Sequence, residues 1–200
     1  MNNLDRFFTK DSAEFADQYL KYLSLVLASI DREEIKSFTD VLLAARERSS
    51  TIFFIGNGGS ASTASHFAND IGVGTNSYEK PFRAISLADN QAIITAIGND
   101  FGYEQVFERQ LKILGQPGDV LVSISASGNS INLIRAIEFA NSNQMVTVSL
   151  TAFDGGIMRK ISQNSVHVPT EEKEYGPAED SHMILDHLIA NFLLRFLKHD

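Results

Sequence analysis

Three places in this chain bring together residue types that can do chemistry. The first is Gly56-Asn57-Gly58-Gly59-Ser60, which follows the short apolar run Thr51–Ile55 and precedes an Ala/Ser-rich segment able to wind into a helix. Strand, glycine turn and helix N-terminus in that order form an anion site. Glycine lets backbone N–H groups approach an oxyanion, and the helix end adds positive partial charge. The same helix then carries His66 and Asp70, four residues apart and therefore on one face. A phosphate grip and an acid/base pair would lie within about two turns of each other, at roughly 1.5 Å of rise per residue.

The second place is Val120–Ser130, reading VLVSISASGNS. A buried-looking strand again runs into a turn, and Asn129 opens another amphipathic helix. Ser125, Ser127 and Ser130 alternate hydroxyls through that turn, and Gly128 supplies its flexibility. Hydroxyls beside helix N-terminal amides suit a phosphate monoester. Serine and asparagine are also good helix caps, so one such loop alone says little; two in one chain favour anion binding. A rival reading is dinucleotide binding, because Gly56 to Ala61 fits the permissive G-x-G-x-x-A pattern. That pattern expects an acid at the end of the second strand, and Glu79 comes too early and Asp89 too late. No glycine turn is followed by Gly-Lys-Ser/Thr, so a Walker-type loop is absent.

The third place is the last helix, Glu179-Asp180-Ser181-His182-Met183-Ile184-Leu185-Asp186-His187. Glu179 and His187 are eight residues apart, about 80° around a helix of 3.6 residues per turn, and are expected to point towards one centre. His182 lies on another side and reads as structural; His167 and His199 read as bland. His66, Asp70, Glu179 and His187 together make a two-histidine, two-carboxylate set. Such a set suits a divalent transition metal, zinc for instance. It equally suits a metal-free acid/base pair for an aldose–ketose isomerisation, in which one group takes a proton from carbon and another manages the oxygen protons. Burial can move both pKa values towards neutrality.

These residues need a scaffold, and the pattern supplies one. Phe15, Tyr19, Tyr22, Leu23, Val26 and Ile30 recur at helical spacing, and Asp31 caps a second helix from Arg32 to about Arg48. The pair is either a plain hairpin packed on the rest or an oligomerisation element. Beyond Thr51, strands are expected at Thr51–Ile55, Arg83–Leu87, Val120–Ile124, Met145–Leu150 and Ser165–Val168. Helices are expected at Ala61–Ile71, Asn90–Ile97, Tyr103–Leu114, Asn129–Asn141, Gly156–Ser162 and Glu179–Lys198, with Tyr175–Ala178 as a rigid turn before the last. Apolar strands alternating with helices predict a parallel α/β sheet, with ligands outside the carboxyl ends of its strands. No repeat or linker interrupts the chain, so residues 1–200 read as one domain with residues 1–49 as a helical extension packed on it.

Composition narrows the classes. Two hundred residues suffice for a substantial core, and 44% apolar and 21% charged residues are ordinary for a globular protein. A formal net charge of −8 argues against non-specific nucleic-acid binding. With no cysteine, thiolate metal sites, disulfides and cysteine nucleophiles are excluded. No apolar run reaches about 18 residues and the start lacks a signal-peptide pattern, so the expected location is the cytoplasm.

The motifs GNGGSA-x-x-A-x-HFA, A-I-x-N-D-F-G, S-x-SGNS and T-x-x-D-G-G, followed by the late acid…His helix, resemble the sugar isomerase (SIS) domain family, and within it the phosphoheptose isomerases. The resemblance spans nearly the whole chain. It implies an α/β three-layer α-β-α sandwich with a five-stranded parallel sheet. It also implies a homotetramer with active sites at subunit contacts, and conversion of sedoheptulose 7-phosphate to D-glycero-D-manno-heptose 7-phosphate through an enediol, in lipopolysaccharide biosynthesis. It places substrate binding at Asn57, Gly58, Gly59, Ser60, Asn99, Asp100, Ser125, Ser127 and Ser130. Zinc would sit at His66, Asp70, Glu179 and His187, with Asp70 and His187 as the proton-transfer pair. The chain departs from the family pattern at four positions: Asp70 for Glu, Glu179 for Gln, Gly74 for Arg and Ala126 for Thr. Some SIS proteins bind a bacterial replication initiator without turnover, but those lack the acid and late histidine that this chain keeps. Others act as sugar-phosphate sensors fused to a further domain, and an isomerase for another polysaccharide precursor is a third alternative.

Overall fold

A computed structural model describes residues 1–199. The elements run α1 (Asn3–Arg6), α2 (Ser12–Ser29), α3 (Arg32–Glu47), β1 (Thr51–Gly56), α4 (Gly59–Asn69), a π-turn (Asp70–Gly74), β2 (Arg83–Ser86) and α5 (Gln91–Phe101). A 3-10 turn (Tyr103–Gln105) follows, then α6 (Glu108–Leu114), β3 (Val120–Ser125), α7 (Ile131–Ser142), β4 (Val146–Thr151), α8 (Gly156–Ile161), β5 (Asn164–His167) and α9 (Tyr175–His199). All strands are parallel, in the order β2-β1-β3-β4-β5. The expected α/β sandwich with a five-stranded parallel sheet is therefore the observed architecture.

Helices cover both faces because each central strand is apolar on both. In β1, Ile52 and Phe54 face a core shared with Val26 of α2 and Ile30 just after it, Phe38 and Leu42 of α3, Phe67 of α4, and Leu185 and Ile189 of α9. Phe53 and Ile55 face the other core, with Phe107 just before α6, Leu111 of α6, and Leu133 and Ile137 of α7. Phe67 stacks on Phe54 with ring centroids 5.3 Å apart, which fixes α4 against β1. Asp119 ties the turn before β3 to the start of β1, accepting from the backbone N–H of Thr51 at 2.7 Å and of Gln116 at 2.9 Å. No described helix is long and apolar enough to cross a membrane.

The strands and long helices form where periodicity and caps place them; α3, for example, starts at Asp31, whose side chain accepts from the Glu33 N–H at 2.8 Å. Four differences matter. The short α1 went unrecognised: its capping box of Asn2 and Asp5 stabilises four residues, too few to show a period. The helix expected over Tyr103–Leu114 is interrupted at Val106–Phe107, both fully or almost fully buried in the second core. The α-helix expected to reach Ile71 ends at Asn69, and a π-turn carries Asp70; such turns recur at functional sites. Finally, α9 starts at Tyr175, so Pro177 lies in its first turn and not in a turn before it. Proline is tolerated there because first-turn N–H groups have no intrahelical partner anyway.

Candidate functional site

The strand order puts β1 and β3 side by side, with β2 on one flank and β4 on the other. Chain direction across the sheet reverses there, and the crevice at the carboxyl ends of such a pair is where open α/β sheets bind ligands. The two loops singled out from sequence leave β1 and β3 at this point. In the first, Gly58 takes φ +55° and opens α4 with no side-chain cap. Gly56 packs so tightly under the turn that a Cβ would lie 2.4 Å from the Ser60 carbonyl oxygen. In the second, Ser125 Oγ accepts from the Gly128 N–H at 3.1 Å, and Ser127 Oγ accepts from the Asn129 N–H at 3.3 Å. Ser130 occupies the N-cap position of α7, yet its side chain makes no capping hydrogen bond. Capping therefore does not account for that hydroxyl.

Asn57, Ser60, Ser125, Ser127 and Ser130 line one cavity of about 180 Å³, together with Ala126, Tyr175 and Glu179. The N-termini of α4 and α7 adjoin it and supply dipolar attraction for an anion. A second cavity of about 580 Å³ shares Ser127 and Tyr175 with it and adds Asn129, Asp154 and Lys173. The T-x-x-D-G-G motif supports this arrangement from behind. A Cβ on Gly128 would lie 2.1 Å from the Gly155 carbonyl oxygen, so the loops after β3 and β4 pack backbone against backbone.

Two residues missed from sequence hold Asn57 in place. Asn132, buried on α7, exchanges amide hydrogen bonds with it at 2.8 and 3.0 Å, and the Tyr103 hydroxyl donates to its Oδ1 at 2.9 Å. Neither partner carries a local signal, because the contact spans 75 residues in one case and 46 in the other. Gly58 and Gly59 are exposed at the turn, and Asn99 and Asp100 are exposed at the end of α5, where Asn99 Nδ2 donates to Asp100 at 2.8 Å. These four do not line the cavity between the two serine- and glycine-bearing loops.

Along the packed seam of α4 and α9 lies the second half of the site. His66, Asp70, Asp186 and His187 bring one potential ligand atom each to within 4.8 Å of one another. The Nε2 atoms of His66 and His187 are 3.2 Å apart, and His66 Nε2 lies 3.5 Å from Asp70 and 4.0 Å from Asp186. His66 and Asp70 keep 42% and 25% of their side-chain surface, enough for a ligand to reach them. Asp186 is fully buried, and neither of its oxygens has a hydrogen-bond partner. Burial, with the Asp70 charge adding to it, pushes its carboxyl up to about 8. An unpartnered buried carboxylate beside a second carboxylate and two imidazoles is the donor set of a divalent cation, so these residues fit a metal.

Three of the four residues expected at this centre, His66, Asp70 and His187, thus come together; Glu179 does not join them. Glu179 lies against the start of α4, where a Cβ on Gly59 would fall 2.3 Å from its Oε2, and burial raises its carboxyl pKa. The physical reason is axial. Eight residues of helix separate Glu179 from His187, so the two share a face but stand roughly 12 Å apart along it. Asp186 takes the fourth place. The signal for it was an acid on the apolar stripe of α9, between buried Leu185 and Ile189. His182 points elsewhere, fully buried, and burial lowers its pKa to about 4, so it is neutral at physiological pH.

The family model of the SIS domain matches residues 14–152. A phosphoheptose isomerase of Bordetella avium is 35% identical over 184 residues, covering 91% of this chain and 89% of the relative. One from Helicobacter pylori strain P12 is 38% identical over 168 residues, covering 84% and 86%. Among solved structures, a phosphoheptose isomerase from Neisseria gonorrhoeae superposes with a TM-score of 0.79 at 31% identity, covering 91% of this chain and 95% of that one.

Proposed function

The chain belongs to the SIS domain family and, within it, to the phosphoheptose isomerases, and on that premise we propose that it is an aldose–ketose isomerase converting sedoheptulose 7-phosphate to D-glycero-D-manno-heptose 7-phosphate. The observation that carries this reading is the convergence in one cluster of Asp70, on the π-turn that follows α4, and His187, on α9, two helices whose N-terminal ends border the phosphate cavity. That convergence favours turnover over a purely binding role.

Spacing supports the length of the substrate. Ser60 and His66 are six positions apart on α4, a rise of about 9 Å. Seven bonds join the phosphorus of a 7-phosphate to carbon two; at roughly 1.2 Å of extended reach per bond they cover about 8 Å. A five-carbon 5-phosphate has five such bonds and covers only about 6 Å.

The residues divide the work by position. Ser60, Ser125, Ser127 and Ser130, with the α4 and α7 amides, hold the phosphate dianion and so fix the sugar chain along the seam. At its far end one of Asp70 and His187 accepts the proton from carbon one of the ketose. The freed electron pair forms the carbon one–carbon two double bond as oxygen two gains a proton, giving the enediol. Protonation at carbon two, with loss of the proton on oxygen one, completes the aldose. Holding the sugar in place turns these transfers into intramolecular steps. His66, Asp70 and His187 would hold a divalent cation, zinc being well suited; when bound, such an ion supplies Lewis-acid polarisation of the substrate carbonyl.

Incubation with sedoheptulose 7-phosphate, with added zinc and after chelation, should yield the aldoheptose phosphate by NMR; no conversion under either condition overturns this reading. Ser127→Ala removes one donor from the phosphate cavity and leaves the acid/base cluster untouched. Its expected effect is about a 10-fold rise in KM, from roughly 1.4 kcal/mol of lost charge-assisted hydrogen bonding, with kcat little changed. An unchanged KM speaks against the loop's role.

We also propose a cytoplasmic homotetramer serving heptose supply for lipopolysaccharide. Ile184, Leu188, Phe192 and Phe196 keep 36–48% of their surface exposed at four-residue spacing along α9, an apolar stripe suited to a partner copy. Light scattering should give four times the 22.1 kDa chain mass; a monomer at micromolar concentration rules the tetramer out.

A further inference from the structure

We infer that Lys173 is the cation that engages the phosphoryl group of the substrate, and that Glu174 positions it by clasping the amino-terminal segment; this rests on the isomerase reading only in taking the serine-lined cavity as the phosphate site. A charge imbalance calls for such a group. The chain carries a net charge of −8, and the walls of the two adjoining cavities hold the carboxylates of Asp154, Glu172 and Glu179. All of these repel a phosphate dianion. Lys173 is the single cation among the described residues that line either cavity. It is exposed and takes part in no ion pair among the described residues. Its ammonium lines the larger cavity, which meets the smaller one at Ser127 and Tyr175. A lysine there is a point charge suited to a phosphate.

The backbone beneath that ammonium is fixed against its own preference. Lys173 has φ +71°, in the left-handed region that disfavours a side chain. Such a conformation persists where the surroundings over-determine it, and Glu174 supplies the constraint. Its carboxylate is fully buried, yet three separate segments donate to it. The Asn3 N–H donates to Oε1 at 2.6 Å, and the Tyr22 hydroxyl of α2 and the Glu171 N–H, the latter at 2.9 Å, donate to Oε2. The Glu174 N–H donates back to the Glu171 carbonyl at 3.2 Å, and Arg6 pairs with the Glu171 carboxylate at 2.6 Å. The turn that carries Lys173 is thereby closed on itself and tied to α1 and α2. Burial and the bond to Glu174 push the Tyr22 hydroxyl up to about 12, so it stays a donor at neutral pH. On the far side of the clasp, Tyr175 packs edge-on against Phe153 with centroids 5.2 Å apart, and both rings line the larger cavity.

The test titrates the full-length protein calorimetrically with inorganic phosphate and with sedoheptulose 7-phosphate, at low and high sodium chloride. Lys173→Asn removes the charge and keeps a residue that tolerates left-handed backbone. Its Kd for inorganic phosphate should rise about 10- to 100-fold, the worth of a charge-assisted hydrogen bond, and its dependence on salt should flatten. Lys173→Arg keeps the charge and should stay within about threefold of wild type. Tyr22→Phe leaves Lys173 in place and removes one hydrogen bond of the clasp, so phosphate should bind about 2- to 10-fold more weakly. In the Lys173→Asn background the same change should weaken phosphate no further, because it acts through the ammonium; a merely structural role would weaken both backgrounds alike. Wild-type affinity and salt dependence in Lys173→Asn, equal losses in Lys173→Arg and Lys173→Asn, full additivity of Tyr22→Phe with Lys173→Asn, or no phosphate bound by wild type would overturn the inference. Lys173-dependent phosphate binding by a protein that does not turn over sedoheptulose 7-phosphate would sink the isomerase reading and leave the role of Lys173 standing.

Discussion

His187→Gln is expected to lower kcat by about 10²–10⁴-fold, the range that general acid–base catalysis supplies, while the fold and assembly stay intact. The two halves of this expectation come from different features. His187 is exposed, and its ring packs edge-on against His66 with centroids 5.1 Å apart, so its loss opens no hole in the core. Yet it faces His66 and Asp70 across the seam, where two imidazoles and two carboxylates converge. Glutamine keeps some length and hydrogen-bonding capacity but cannot carry a proton near neutral pH, so geometry is retained and proton transfer is not. NMR of the sugar products reads the rate, and far-UV circular dichroism with light scattering reads the fold and mass. Near-normal turnover would remove His187 from the mechanism.

Gly128→Ala should have the largest effect on stability together with a collapse of substrate binding. Gly128 has φ +63°, where a side chain costs about 1–2 kcal/mol. The added methyl would also lie 2.1 Å from the Gly155 carbonyl oxygen and 2.7 Å from its carbon, backbone atoms that cannot swing away. Overpacking of this kind typically adds 1–3 kcal/mol, so a total loss of about 2–5 kcal/mol is expected. Relief requires the loops after β3 and β4 to separate, and this moves Ser127 and Ser130 out of register with Ser60. Urea unfolding checks the stability and the KM for the sugar phosphate checks the loop; a stable variant with normal KM would mean that the close approach is dispensable.

Much of the site was legible because its parts are local. A glycine turn after an apolar run, or a serine–glycine turn before an amphipathic helix, declares its backbone geometry within about ten residues. Glu179 shows what such reading leaves out. A helical wheel gives its angle to His187 but discards the rise along the axis, and that rise carries Glu179 to the cavity between the two loops. Asp186 shows the complementary case. Adjacent to His187 and 100° from it on an ideal helix, it points to the same centre only because that centre lies in the groove between α9 and α4.

What the residues by themselves determined is the succession of strands, glycine- and serine-bearing turns and helices, and the presence of imidazole and carboxylate groups at two of those helices. Hydrogen bonding and apolar period are properties of neighbouring residues, so they are written in order along the chain. Only the tertiary structure decided that the two loops share one cavity, since adjacency of β1 and β3 follows from the strand order. Likewise, only the packing of α4 on α9 decided which acid completes the cluster. Such contacts join residues more than a hundred positions apart, and their selection depends on how whole faces bury together.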